Sequence, residues 1–173
     1  MFKIILDQIA FKKIGMSEYD KLSFIQVWVL FALISIATSY IAGGSLGLWA
    51  LNAVFGALTV YAIYMFLAFW FKKRDLWNGN GNILGLMITS SAIDILYIPA
   101  FLIHPALAGL LFVFSFAIAV NALKGALNIS ISQVLIAFLM ASIVGVIVSI
   151  ALGFLMENIA PALDIELPPV AEM

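Results

Sequence analysis

The sequence predicts an all-α polytopic membrane protein: a five-transmembrane-helix bundle with a cytoplasmic N-terminus and a C-terminus outside. Three observations predict it. Of 173 residues, 65% are hydrophobic and 10% charged, against about 45–50% and about 25% in an ordinary soluble domain. The apolar residues gather into five long runs. All eight basic residues fall in alternate gaps between those runs. Lys3, Lys12, Lys13 and Lys21 precede the first run, Lys72, Lys73 and Arg74 follow the second, and Lys124 follows the fourth. Cytoplasmic loops carry an excess of Lys and Arg, and that excess sets orientation.

Crossing the hydrocarbon core takes about 20 apolar residues as helix. The predicted spans are Phe24–Ala42, Leu48–Phe71, Ile83–Ile103, Ala106–Leu123 and Ile131–Met156. Open strands cannot cross lipid, because their backbone groups would go unpaired there. Only His104 and Pro105 part the third and fourth runs. A single helix over both would reach roughly 60 Å at about 1.5 Å per residue, twice the core. A tight outer hairpin is therefore expected, with Pro99 kinking the third helix just before it. The fifth run is the longest and should tilt or extend past the bilayer.

Residues 1–22 form a cytoplasmic segment, 23–156 the transmembrane domain and 157–173 an external tail. Phe2, Ile5, Leu6, Ile9 and Met16 share one side of a helical wheel; Ile4, Phe11 and Ile14 do not. The segment reads as a helix lying on the cytoplasmic leaflet, the alternative being a frayed tail. The tail carries Glu157, Asp164, Glu166 and Glu172 with Pro161, Pro168 and Pro169. Three prolines in 17 residues predict no regular element there. No cleavable signal peptide is expected, because Asp7, Lys12 and Lys13 interrupt the N-terminal apolar stretch.

The loop after the second run reads Lys-Lys-Arg-Asp-Leu-Trp-Asn-Gly-Asn-Gly-Asn. Lys72, Lys73 and Arg74 are an orientation anchor suited to anionic lipid head groups. The Asn-Gly repeats mark a turn. Trp28, Trp49, Trp70 and Trp77 fall near span ends, as an interfacial belt does.

Asp94 stands apart. It lies near the middle of the third span, where Asp costs about 2.5–3.5 kcal/mol on insertion scales. Ser90 and Tyr97, four before and three after it, share its helical face. Asn52 and Asn121 are further intramembrane polar groups. Two readings stand side by side. Asp94 is hydrogen-bonding glue between helices, or it marks a proton, cation or polar-ligand site with Ser90, Tyr97 and Asn52 lining the path.

In the last span Ala137, Ala141, Gly145, Ser149 and Gly153 recur at every fourth position. Such a ridge lets another helix approach closely, either within the chain or across a homodimer.

The same residues exclude several functions. With no cysteine and His104 as the only histidine, no metal site is expected. His104 should cap the outer turn. No cofactor motif is present, since the glycine spacings of nucleotide-binding loops are missing. No clustered basic face invites nucleic acid. No nucleophile, base and acid can be assembled on one side of the membrane, so no enzyme is expected. The partners expected are the lipid bilayer and a second copy or another membrane protein.

From the third span onward the chain resembles the Yip (Ypt-interacting) family of membrane proteins, particularly its small prokaryotic members. The resemblance rests on Asn-Gly-Asn-Gly-Asn-Ile-Leu-Gly leading to Ile-Asp-Ile-Leu-Tyr-Ile-Pro, and on Asn-Ala-Leu-Lys-Gly-Ala-Leu-Asn-Ile-Ser-Ile-Ser before the final helix. It covers about residues 78–155 in pattern and the whole chain in topology. The Asp-Leu-Tyr-Gly-Pro motif and long N-terminal region of eukaryotic members are absent. The resemblance implies five spans, a prokaryotic inner membrane, and a non-enzymatic role in membrane organisation through partner or lipid binding. A small transporter or channel subunit using Asp94, and an accessory subunit of a larger membrane complex, are the alternatives.

Overall fold

The computed structural model describes residues 1–42 and 45–165. Its regular elements are helical: α1 (Phe2–Ile9), α2 (Met16–Tyr19), α3 (Phe24–Ala42), α4 (Leu46–Lys73), α5 (Ile83–Ser90), a 3-10 helix (Ala92–Leu96), α6 (Tyr97–Ile103), α7 (Pro105–Leu127) and α8 (Ile131–Ala162). Four segments among the described residues are long and apolar enough to cross a membrane: Leu46–Lys73, Ile83–Ile103 taken through its break, Pro105–Leu127 and Ile131–Ala162. By length and composition these are the helices of a multi-pass membrane protein. In α3 the apolar stretch Phe24–Tyr40 is shorter.

The apolar surface is arranged for lipid. Ile25, Val29, Leu33, Ile36 and Tyr40 form an exposed stripe along all of α3. Val54, Leu58, Tyr61, Met65 and Phe69 do the same on α4, and Ile136, Leu139, Ile143, Val146 and Ile150 on α8. Contiguous apolar stripes of this extent would be untenable in water.

Local chemistry sets the helix ends. Ser45 caps α4 by accepting from the Leu48 N–H at 3.3 Å. His104 is extended, and its Nδ1 accepts from the Ala106 N–H at 3.2 Å, with Pro105 in the first turn of α7. The expected hairpin and the expected cap are both present. Asn128 closes α7 in the left-handed conformation, φ 55°. Ser130 and Gln133 form a reciprocal capping box that starts α8.

Several boundaries differ from expectation. Helix α4 gains a turn's worth of residues over Leu48–Phe71, and α7 runs to Leu127 rather than Leu123. Helix α8 continues past Met156 to Ala162, so the first part of the predicted irregular tail is helical. Pro161 is tolerated because it sits in the last turn, where the helix ends anyway. Asp164 then turns left-handed, φ 54°, and the Ile165 N–H returns to the Ala160 carbonyl at 2.9 Å. Glu166, Pro168, Pro169 and Glu172 lie outside the described residues.

Residues 1–22 fold as a cap on one end of the bundle. Ile4, Ile14, Tyr19 and Leu22 are buried in one cluster with Leu67, Phe71, Ile83 and Leu123. The wheel is therefore corrected: Ile4 faces protein, while Phe2 and Leu6 are exposed. One wheel cannot describe the segment, because it breaks between α1 and α2, where Phe11 has φ 54°. The cap carries four lysines, and the ends of α4 and α7 beside it carry Lys72, Lys73, Arg74 and Lys124. All eight basic residues thus sit at one end, called here the basic end.

Candidate functional site

The third apolar run is not one kinked helix. It breaks before Pro99, around Asp94. Upstream, three hydroxyls turn back onto their own helix. Thr89 donates to the Gly85 carbonyl at 2.7 Å, Ser90 to Met87 at 2.8 Å and Ser91 to Met87 at 3.4 Å. Such back-bonding competes with the backbone ladder and bends helices. Downstream, Pro99 has no N–H to give the Ile95 carbonyl, and its ring presses on that carbonyl. The chain between these two devices tightens into the 3-10 turn Ala92–Leu96, with the Asp94 N–H on the Ser91 carbonyl at 3.0 Å. A 3-10 stretch within a helix marks strain or a functional hinge.

Asp94 lies inside that turn. Its Oδ1 is buried and makes no hydrogen bond among the described residues. The polar side chain it meets is Ser115 of α7, itself buried. Tyr97, one 3-10 turn on, lies close to it. Ser90 does not join them, since its hydroxyl is committed to Met87. The ion pairs among the described residues are Lys12–Asp7 and Lys21–Glu18, both in the cap. No cluster of metal-ligating side chains occurs among the described residues.

Asn52 belongs to another site. It lines a groove of about 430 Å³ between α3, α4 and α8, with Ser35, Thr38, Ser39, Thr59 and Ser149. Thr38 and Thr59 satisfy their hydroxyls on their own helices, at Ile34 and Phe55. Gly56 and Gly153 leave room for the groove. Of the four residues expected on one path, the structure brings only Asp94 and Tyr97 together, adds Ser115, and sends Asn52 elsewhere.

The small-residue ridge divides. Ala137, Ala141 and Gly145 are buried, and a Cβ on Gly145 would meet Ile63 of α4 at 3.1 Å. Ser149 is exposed, and a Cβ on Gly153 would meet nothing within 4 Å. Half of the ridge is an internal seam against α4; the other half lines the polar groove. A homodimer through the full ridge is therefore blocked by α4 itself.

At the basic end Lys73 and Arg74 fold back onto aromatic rings. The Arg74 guanidinium stacks over Trp70 at 4.0 Å, and Lys73 lies over Phe69 at 5.6 Å. Trp77 donates its Nε1–H to the Asn80 carbonyl. In the following turn Gly81 has φ 104°, and a Cβ there would overlap Met16 of α2. That glycine joins loop and cap.

In comparisons with known proteins, no protein family, curated protein or solved structure matches the chain.

Proposed function

We propose that this chain is a non-enzymatic, five-span membrane protein that works by binding lipid or a membrane partner at its basic end. Its likeness to the Yip family is a likeness of sequence pattern, and it supports the topology and the prokaryotic inner membrane as its site. In this reading α3 is the first span, because its apolar stripe runs the full length of the helix. The basic end is then cytoplasmic. The single observation that carries the reading is the folded cap: 22 residues outside the spans pack onto the one end that holds every Lys and Arg. A basic, structured face at the inner leaflet is suited to anionic head groups, at about 1 kcal/mol per basic residue near the surface.

The test is the thermal midpoint of the protein in nanodiscs of phosphatidylcholine alone and with a quarter phosphatidylglycerol. The expected result is a rise with the anionic lipid that shrinks in high salt and in the triple variant Lys72→Gln, Lys73→Gln, Arg74→Gln. Equal midpoints in both lipids would remove the lipid half of the reading.

A second reading has its own observation. A broken helix with a buried carboxyl at the break is how transporters build midplane ion sites. Under it, Asp94→Asn abolishes proton or cation flux in proteoliposomes while the protein still folds. Unaltered flux in that variant counts against it.

A further inference from the structure

Helix α7 carries a stripe that changes character along its length. Leu110, Phe114, Ala117, Asn121 and Lys124 follow one another at spacings of four, three, four and three, so they share one face. The upper part of the stripe lines an open apolar groove of about 710 Å³ between α6 and α7. The lower part lines a polar pocket of about 160 Å³ with Phe11, Lys13 and Asn128. One contact joins the two: Phe11 of the cap meets Phe114 edge-on, ring centroids 5.5 Å apart.

The polar pocket is lined by two ammonium groups and no carboxylate. The Lys13 ammonium donates to the Asn128 Oδ1 at 3.0 Å, and Lys124 has no ion pair among the described residues. Asp7 and Glu18, which line a second pocket with Lys13, pair with Lys12 at 2.7 Å and with Lys21 at 2.6 Å. Asn121 and Asn128 add amide donors. Two ammonium groups and two amides around a small pocket match the oxygens of one phosphate diester.

We infer that this stripe binds one anionic glycerophospholipid, its phosphate held by Lys13, Lys124, Asn121 and Asn128 and an acyl chain laid along Ala117, Phe114 and Leu110. The length fits. From Lys124 to Leu110 is 14 residues, roughly 21 Å of helix, which takes a chain from the head-group level past the middle of a core about 30 Å thick. The apolar continuation separates a lipid from a soluble phosphate, which would have no use for it. The inference rests on the lipid-binding reading above and assigns it a place distinct from Lys72–Arg74.

The experiment titrates the full chain in mild detergent with palmitoyl-oleoyl phosphatidylglycerol, with the matching phosphatidylcholine, and with inorganic phosphate. Native mass spectrometry counts chains that retain one lipid. The wild type should retain phosphatidylglycerol at least tenfold better than phosphatidylcholine. The double variant Lys13→Gln, Lys124→Gln should lose that preference. Asn121→Leu and Phe114→Ala should each weaken retention severalfold. Millimolar phosphate should not displace the lipid. Loss of the preference in the variant Lys72→Gln, Lys73→Gln but not in Lys13→Gln, Lys124→Gln would overturn the site while sparing lipid binding at the basic end. Equal retention of both lipids by the wild type would overturn both. Displacement by phosphate would make the pocket a soluble-anion site and overturn the inference.

Discussion

Gln8 and Tyr19 tie the two short helices of the cap together. The buried Gln8 amide donates to the Tyr19 hydroxyl at 3.2 Å, across an otherwise apolar contact. Tyr19→Phe orphans that donor and should lower stability by about 1–3 kcal/mol, whereas Gln8→Leu with Tyr19→Phe should recover most of it. Thermal midpoints in detergent decide between these outcomes. Burial pushes the Tyr19 phenol up to about 12, with the Gln8 hydrogen bond pulling the other way. The folded value lies above the ordinary 10.0, so the unfolded chain loses its proton first as pH rises. The cap's stability should be intact below about pH 10 and fall between about 10 and about 12. Tyr19→Phe should abolish that fall. In the membrane domain, Ser115→Ala strips the Asp94 carboxyl of its hydroxyl neighbour and should cost about 1–3 kcal/mol. Ser90→Ala, whose hydroxyl serves only its own helix, should change the midpoint by less than about 0.5 kcal/mol. Asp94 was legible in the sequence as an acid at mid-span. Ser115 was not singled out there, although a count could have found it: Asp94 lies ten residues before His104 and Ser115 ten after Pro105, so the hairpin sets them level. The turning of Ser90 toward Met87 was not legible, because periodicity gives a face and not a rotamer.

Helix α8 makes a paired test of its ridge. Gly145 approaches Ile63 closely and Gly153 meets open space. Gly153→Ala should stabilise by about 0.5–1 kcal/mol through helix propensity. Gly145→Leu should destabilise by about 1–3 kcal/mol through overpacking against α4. Equal effects of a bulky residue at both positions would contradict the seam. Gly81→Ala meets Met16 and a left-handed backbone together, and should loosen the cap as measured by hydrogen exchange over residues 1–22. The spacing of the ridge was plain in the sequence, but which half is covered depends on how α4 and α8 diverge, and that is a tertiary fact. The third span shows the same limit. Pro99 predicted a kink; the run of Thr89, Ser90 and Ser91 moved the break upstream to Asp94.

For the molecule as a unit, the distribution of Lys and Arg was the most readable feature. The fold gathers all eight at one end, as alternate gaps required. The cap was less readable, because α1 and the connection after it bury Ile4 and Ile14 against the bundle and leave Phe2 and Leu6 outward. An amphipathic wheel assumes one partner for one face, and this segment has two. What the count of long helices leaves to experiment is α3. Five spans put residues 1–22 and the end of α8 on opposite sides of the membrane; four spans put them on the same side. The chain has no cysteine, so single cysteines can be introduced cleanly at Ser17, Asn80, Ser45 and Asn158. Labelling sealed cells with a membrane-impermeant maleimide tests the account most directly. Cysteines at Ser45 and Asn158 should label in intact cells, and those at Ser17 and Asn80 only after permeabilisation. Labelling of the Ser17 and Asn158 variants from the same side would contradict the five-span topology and the cytoplasmic basic end that depends on it.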